Sequence, residues 1–349
     1  MLAALAAAAV LAGPDSFAGW PASTKIKADP REKHLANVRQ ITFGGQNAEA
    51  YWNVAGTKLI WQSMQPEYVD EQVYTMTATG KNRKLISTGL GRCTCAYYSP
   101  DGKWLYFSST HELDPGKQPP VDMSKGYVWM INPSYRLYRK PAAGGKIQKI
   151  LDLPGYVAET TIDPKGRYMV FTSDFEGDLE IYRCDLDGKH IKKLTSAKGY
   201  DGGPFVSWDG KLIAYRRTKP FKDAAEEAEY DELLKAHLVR PTKMDIWVMN
   251  ADGTNKHQVT NLPGASFAPF ILPGNKKILF STNFTDPRSA EFDVYMSNLD
   301  GSQLEQITYA KGFDGFPMVT KDGKKIVFAS NRNAKAPRET NVFVADWKK

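Results

Sequence analysis

Gly199-Tyr-Asp-Gly-Gly-Pro-Phe-Val-Ser-Trp-Asp-Gly-Lys-Leu-Ile-Ala-Tyr215 decides the fold, because it returns as Gly312-Phe-Asp-Gly-Phe-Pro-Met-Val-Thr-Lys-Asp-Gly-Lys-Lys-Ile-Val-Phe328. Each copy reads as an apolar strand, an Asp-Gly turn and a second apolar strand. Asp-Gly between alternating hydrophobic runs is a hairpin signal, and it predicts a type I′ turn with φ > 0 at both central residues. Looser copies begin at Tyr51, Ala96, Thr161 and Phe270, which makes six in all. A repeat at a spacing of several tens of residues fixes the architecture before any single element does.

Working outward, each hairpin is followed by a third strand and a short fourth one. The fourth ends in Lys192-Lys-Leu-Thr195, His257-Gln-Val-Thr260 or Glu305-Gln-Ile-Thr308. The last unit stops after its third strand, Asn341-Val-Phe-Val-Ala345, while an orphan segment of the fourth type, Arg39-Gln-Ile-Thr42, stands near the N-terminus. Closing the ring with that segment removes the exposed strand edges of an open array. The pattern predicts an all-β chain. It is a six-bladed β-propeller of four-stranded antiparallel blades, closed by an N-terminal strand. The blades fall near residues 44–88, 89–152, 153–195, 196–260, 261–308, and 309–349 with 34–43. Residues 1–20 read as a signal peptide or apolar leader, residues 21–33 as an irregular arm, and 34–349 as the propeller.

Two connections between second and third strands are long, over residues 110–135 and 219–241. The second, Phe221 to His237, has the composition and charge gradient of a helix and gives blade four a helical insertion. In a four-stranded meander both insertions lie on the face opposite the Asp-Gly turns. That face is the expected binding surface.

The net charge of +7 is spread singly over turns and strand edges, which describes a solvated basic surface. Basic residues are not clustered with aromatics, so nucleic acid is not an expected partner. No stretch is long and apolar enough to span a bilayer. Cys93 and Cys95, two apart on a strand, share a face by simple alternation. With Cys184 they read as small buried side chains.

Ser99-Pro-Asp-Gly-Lys103 with Tyr106-Phe-Ser108, and Asp187-Gly188 with Leu194-Thr195, resemble the TolB-like, WD-like Pro-Asp repeat of propellers. The resemblance covers residues 34–347 and the propeller part of that family only. Leu238-Val-Arg-Pro-Thr-Lys-Met-Asp-Ile-Trp247 resembles a subgroup labelled Tol biopolymer transport components. Three blades depart from the pattern at Val54-Ala-Gly56, Pro164-Lys-Gly166 and Pro273-Gly-Asn275. The resemblance implies a periplasmic or extracellular location and a protein partner in the cell envelope.

Aligning the innermost strands places Glu49, Arg92, Glu159, Asp201 and Asp314 at the channel mouth, with Asn47 and Ser266 at related positions. Converging acids there could hold a divalent cation or an amine. Asp201 and Asp314 also fit a purely structural role, bonding backbone amides in turns. Trp52, Tyr200 and Trp208 lie near the inner strand and are candidates for ligand stacking. His111 and Glu112 follow the second strand of blade two on the same face. The remaining histidines fall on unrelated elements, so a histidine-bound metal is not expected. A Gly-x-Ser-x-Gly elbow is absent, and Gly202-Gly203 read as turn glycines. The leading expectation is an exported, non-catalytic propeller that binds a protein partner or a peptide or glycan ligand through its insertion-bearing face. The alternatives are a hydrolase or lyase using the mouth carboxylates, with or without a metal, and an accessory subunit of a larger envelope complex.

Overall fold

The computed structural model describes residue 17 and residues 19–27 and 29–348. Of the leader read over residues 1–20, residues 1–16 and 18 lie outside the described residues. Six antiparallel sheets follow one another around a ring, their innermost strands being Gln46–Trp52, Cys93–Tyr98, Val157–Ile162, Asp201–Val206, Ser266–Ile271 and Asp314–Val319. In the last sheet Leu35–Gln40 pairs with Asn341–Trp347, so the chain's two ends share one blade. The arm differs from an irregular segment. Thr24–Lys25 adds a fifth strand to that blade. Phe17, within the stretch read as leader, packs on Trp61 and Tyr74 of blade one.

The repeated threonine has a plain physical role. Thr42, Thr195, Thr260 and Thr308 each accept a backbone N–H near the start of the third strand of their own blade, from Val342, Ile181, Ile246 and Val294, at 2.7–2.9 Å. The same residues' carbonyls accept from the fourth strand, so the donor faces that strand and would otherwise go unpaired.

The Asp-Gly turns differ from type I′. At Ser99-Pro100-Asp101-Gly102 only the glycine has positive φ (69°), and Gly102 N–H bonds Ser99 O at 2.9 Å. The Asp101 carboxylate accepts from the Ser99 hydroxyl at 2.6 Å and from Lys103 N at 3.0 Å. Asp209 and Asp322 repeat the arrangement. The side chain holds a type I turn, and glycine supplies the single left-handed residue of a bulged loop.

The helix runs from Ala224 to Lys235 and is capped by Asp223, whose carboxylate accepts from Ala225 N and Glu226 N. The two insertions meet. Trp129–Met130 of blade two pairs antiparallel with Leu238–Val239 of blade four, which roofs blade three. Among the described residues no helix is long and apolar enough to cross a membrane.

Candidate functional site: the capped mouth of the central channel

All six innermost strands carry the same defect. Each shifts register with its neighbour near its middle. One residue there takes a left-handed φ of 47–60°: Glu49, Cys95, Glu159, Gly203, Ala268 or Phe316. A bulge of this kind bends the strand and re-aims a side chain. These six positions line a cavity of about 50 Å³ on the axis of the ring. Three of them are followed by proline, at Pro204, Pro269 and Pro317. Proline inside a central strand is tolerated at a bulge, so the signal was present in the sequence.

Toward the turn face, Tyr51, Tyr97, Phe205 and Phe270 pack tilted or edge-on at 5.2–6.0 Å and close the channel. On the insertion side, Phe267, Phe292, Phe313 and Phe316 form an aromatic wall, and Trp129 of the cap joins it against Phe267 at 6.2 Å.

One charged cluster faces this wall. Glu159 accepts from Tyr200 OH at 2.5 Å, from Gly203 N at 2.7 Å and from the Arg216 guanidinium. Arg216 also lies under the Trp129 ring at 5.3 Å and beside Tyr200 at 4.7 Å. Burial would raise the Glu159 carboxyl, but Arg216, Tyr200 and their neighbours outweigh it and hold it below the usual range. Glu49 lines the same cavity without an arginine of its own. Burial first, then the charges of Glu71 and Glu159, push its carboxyl up to about 7.

Arg216 was not legible as a site residue, because it sits on the second strand of its blade, opposite Gly202. It reaches the channel by crossing the innermost strand. A Cβ at Gly203 would collide with its guanidinium, and a Cβ at Gly202 with the Tyr200 ring and Glu159. Gly202-Gly203 are therefore strand glycines, not turn glycines, and they open the passage for a cation.

The sequence-predicted residues divide. Glu49, Glu159 and Tyr200 come together at the cavity. Asp201 and Asp314 do not line the channel. Both are 0% exposed at blade junctions. Asp201 is held by Arg217 in two bonds of 2.6 Å, and Asp314 by Arg332 at 2.9 Å. Arg92 lies 3.6–3.7 Å from Asp70 and Glu71 at another junction. Trp52 and Trp208 belong to the core near the turn face, their indole N–H groups bonded to Met318 O and Val319 O. His111 bonds the Ser109 hydroxyl at 2.8 Å and packs on Tyr138, and Glu112 pairs with Lys149. The bulge also separates Cys93 from Cys95. Cys93 meets Ser109 inside blade two, whereas Cys95 faces the cavity. All three cysteines are free. Among the described residues no group of three or more His, Cys, Asp or Glu is placed to hold a metal ion.

Fold and site together define a six-bladed β-propeller whose channel is closed at one face and capped at the other. No family model matches the chain. An uncharacterized protein of Agrobacterium fabrum is 22% identical over 208 residues, 52% of this chain and 63% of that one. A TolB homolog of Chlorobium chlorochromatii is 30% identical over 139 residues, 33% of this chain and 31% of that one. The chain thus spans less than two thirds of these relatives. Among solved structures, one described as TolB from Agrobacterium tumefaciens superposes with a TM-score of 0.58 at 19% identity, covering 87% of this chain and 91% of that one. TolB from Acinetobacter baumannii gives 0.56 at 14%, covering 88% and 65%. An oligogalacturonate lyase in complex with manganese gives 0.52 at 14%, covering 94% and 97%. In repeat and fold this chain is a TolB-like β-propeller.

Proposed function

We propose that the protein is an exported, non-catalytic propeller that holds a segment of a protein partner at the capped mouth. The carrying observation is the mouth itself: a small, mostly apolar cavity with Glu49, Glu159 and Arg216 in its lining, closed beneath, beside an aromatic wall and under a roof built from two insertions. Concave sites of mostly apolar lining with a few placed polar groups are the usual form of a binding site. The cavity has room for only a few water-sized groups, roughly three to five. That suits the end or a side chain of a peptide better than a sugar ring. The apolar leader and the resemblance to Tol-associated propellers support a periplasmic location and an envelope partner. The test places a photo-cross-linking residue at Tyr127, exposed on the cap, or at Lys211, exposed on the turn face, in the native cells. A discrete cross-linked partner from position 127 and none from 211 is expected. Equal capture from both, or none from 127, would sink the proposal.

One observation favours a second reading. Glu49 and Glu159 line one cavity with their pKa values pushed apart, which is how acid and base roles are assigned in carboxylate-pair enzymes. A hydrolase or lyase of this kind would turn over an oligosaccharide such as oligogalacturonate, with or without an added divalent metal. It would lose all turnover on the single change Glu49→Gln. A binding module loses affinity in graded steps across the rim.

A further inference from the structure

Two residues that line the cavity each carry a buried polar side-chain atom with no hydrogen-bond partner among the described residues. The atoms are Thr160 Oγ1 and Arg216 Nε. Both side chains are more than nine-tenths buried, with Thr160 2% and Arg216 7% exposed. Unsatisfied groups at such depth are uncommon in native proteins and call for an explanation. The arginine nitrogen can only donate, whereas the hydroxyl can accept. Glu49 adds an acceptor on the same wall. The charge of Glu159 is already answered by Arg216, so the ionised cavity carries one uncompensated negative charge, on Glu49.

The complement of this set is a small cation followed closely by an acceptor. The first residue of a polypeptide has that pattern, an ammonium and then a carbonyl. A carboxylate end would meet Glu49 and be repelled. A neutral sugar would leave the charge unanswered.

We propose that the cavity receives the free amino terminus of a peptide, its ammonium on the Glu49 carboxylate and the Thr160 hydroxyl, its first carbonyl on the Arg216 Nε–H. Ala268, Pro269 and Phe316 wall the space and leave room for a small first side chain only. The inference rests on the mouth being the binding site, and it names what enters.

Isothermal titration calorimetry with Ala-Ala-Ala, N-acetyl-Ala-Ala-Ala and N-acetyl-lysine amide tests it on the full chain. Ala-Ala-Ala is expected to bind, with the acetylated tripeptide at least about tenfold weaker, since a charge-assisted hydrogen bond is lost. Glu49→Gln is expected to weaken the free tripeptide by a similar factor while its urea midpoint stays at or above wild type. The groups facing Glu49 are Glu71, Glu159, the Cys95 thiol and Arg216. With Glu49 near 7, affinity should rise about fivefold from pH 6 to pH 7, then fall above about pH 8 as the peptide amine loses its proton.

Equal binding of the acetylated tripeptide overturns the proposal, as does undiminished binding by Glu49→Gln. Binding of N-acetyl-lysine amide as tight as the tripeptide's replaces the amino terminus with a lysine side chain and overturns it too. No binding of any probe, with cross-linking from position 127 intact, overturns this inference but leaves the binding module standing. Loss of both overturns both.

Discussion

Two sets of acids look alike in the sequence and do different work. Asp201 and Asp314 open their innermost strands, and Glu49 and Glu159 sit two residues further in, at the equivalent bulge. At the strand start the backbone lies against the third strand of the preceding blade, as the bonds Asp201 N to Leu179 O and Asp314 N to Phe292 O record. The side chain there is sealed between blades and meets an arginine on its own second strand (Arg217) or two residues beyond it (Arg332). At the bulge the strand turns its side chain toward the cavity on the ring axis, which Glu49 and Glu159 both line. The blade-junction position is polar in most other blades too, as Asn47, Cys93 and Ser266 show, but only two junctions have this Asp–Arg pair. In this ring the acids at a strand start are staples between blades, whereas the acids at the bulge line the cavity.

The sharpest way to break that contrast is to remove a cation from a junction. Arg332 bonds Asp314 and also Glu32 of the N-terminal arm, and both acids are buried. Arg332→Met leaves two buried carboxylates without their partner and is expected to cost about 3–5 kcal/mol. Glu49→Gln should stay within about 1 kcal/mol of wild type. Urea unfolding of both variants measures the difference. Equal costs would show that the two acid sets share one environment.

Acidification tests the same contrast next. Asp293, which faces Asp314 across a junction, is pushed up to about 7 by burial and then by that neighbour. Glu180, which faces Asp201, is also raised to about 7 by burial, and Asp201 itself to about 6. A carboxyl raised in the folded state binds more protons there than in the unfolded chain, so stability must rise as pH falls through the folded value. The expected result is a denaturation midpoint that climbs from pH 8 to about pH 5. Below about pH 4 it declines as Glu159, whose pKa is lowered, is protonated. A midpoint that falls steadily from pH 8 to pH 5 would contradict the junction assignment.

How much was legible follows from the period of the pattern. Blade boundaries, ring order and the helix could be read because turns and apolar alternation are local and repeat six times. The channel lining could not be read by alternation, because each bulge slips the strand by one residue. That slip separates Cys93 from Cys95 and carries Asp201 away from the axis. The prolines at 204, 269 and 317 marked the slip in three blades, but Glu49, Cys95 and Glu159 have no such marker. Arg216 was hidden for another reason. Its role depends on a passage left by Gly202 and Gly203, and an absent side chain leaves no pattern to find. The pairing of the two insertions joins residues more than a hundred positions apart, beyond any local signal.

Gly203→Ala would close the passage. The new methyl meets the Arg216 guanidinium, and alanine at φ 57° is strained by about 1–2 kcal/mol. The loss should register as a lower urea midpoint together with weakened binding at the mouth. Unchanged stability and binding would mean that Arg216 does not need this route.

The smallest effect separates strain from function within the ring itself. Ala268 and Phe316 occupy the same bulge position with φ of 50° and 54°. Ala268→Gly removes a left-handed alanine worth about 1–2 kcal/mol of strain. Against that, a more flexible unfolded chain takes back about 0.4–1 kcal/mol. The net expectation is a gain of roughly 0.5–1 kcal/mol. Phe316→Gly relieves the same strain but strips the aromatic wall of its contacts with Phe267 and Phe313, and the balance turns to a loss. Two variants with one backbone geometry and opposite signs would show that the bulge is a fixed feature of the scaffold, tolerated for what it points at the axis. If both variants gain stability, the Phe316 ring contributes nothing to the folded state, and its place on the wall is held for a ligand alone.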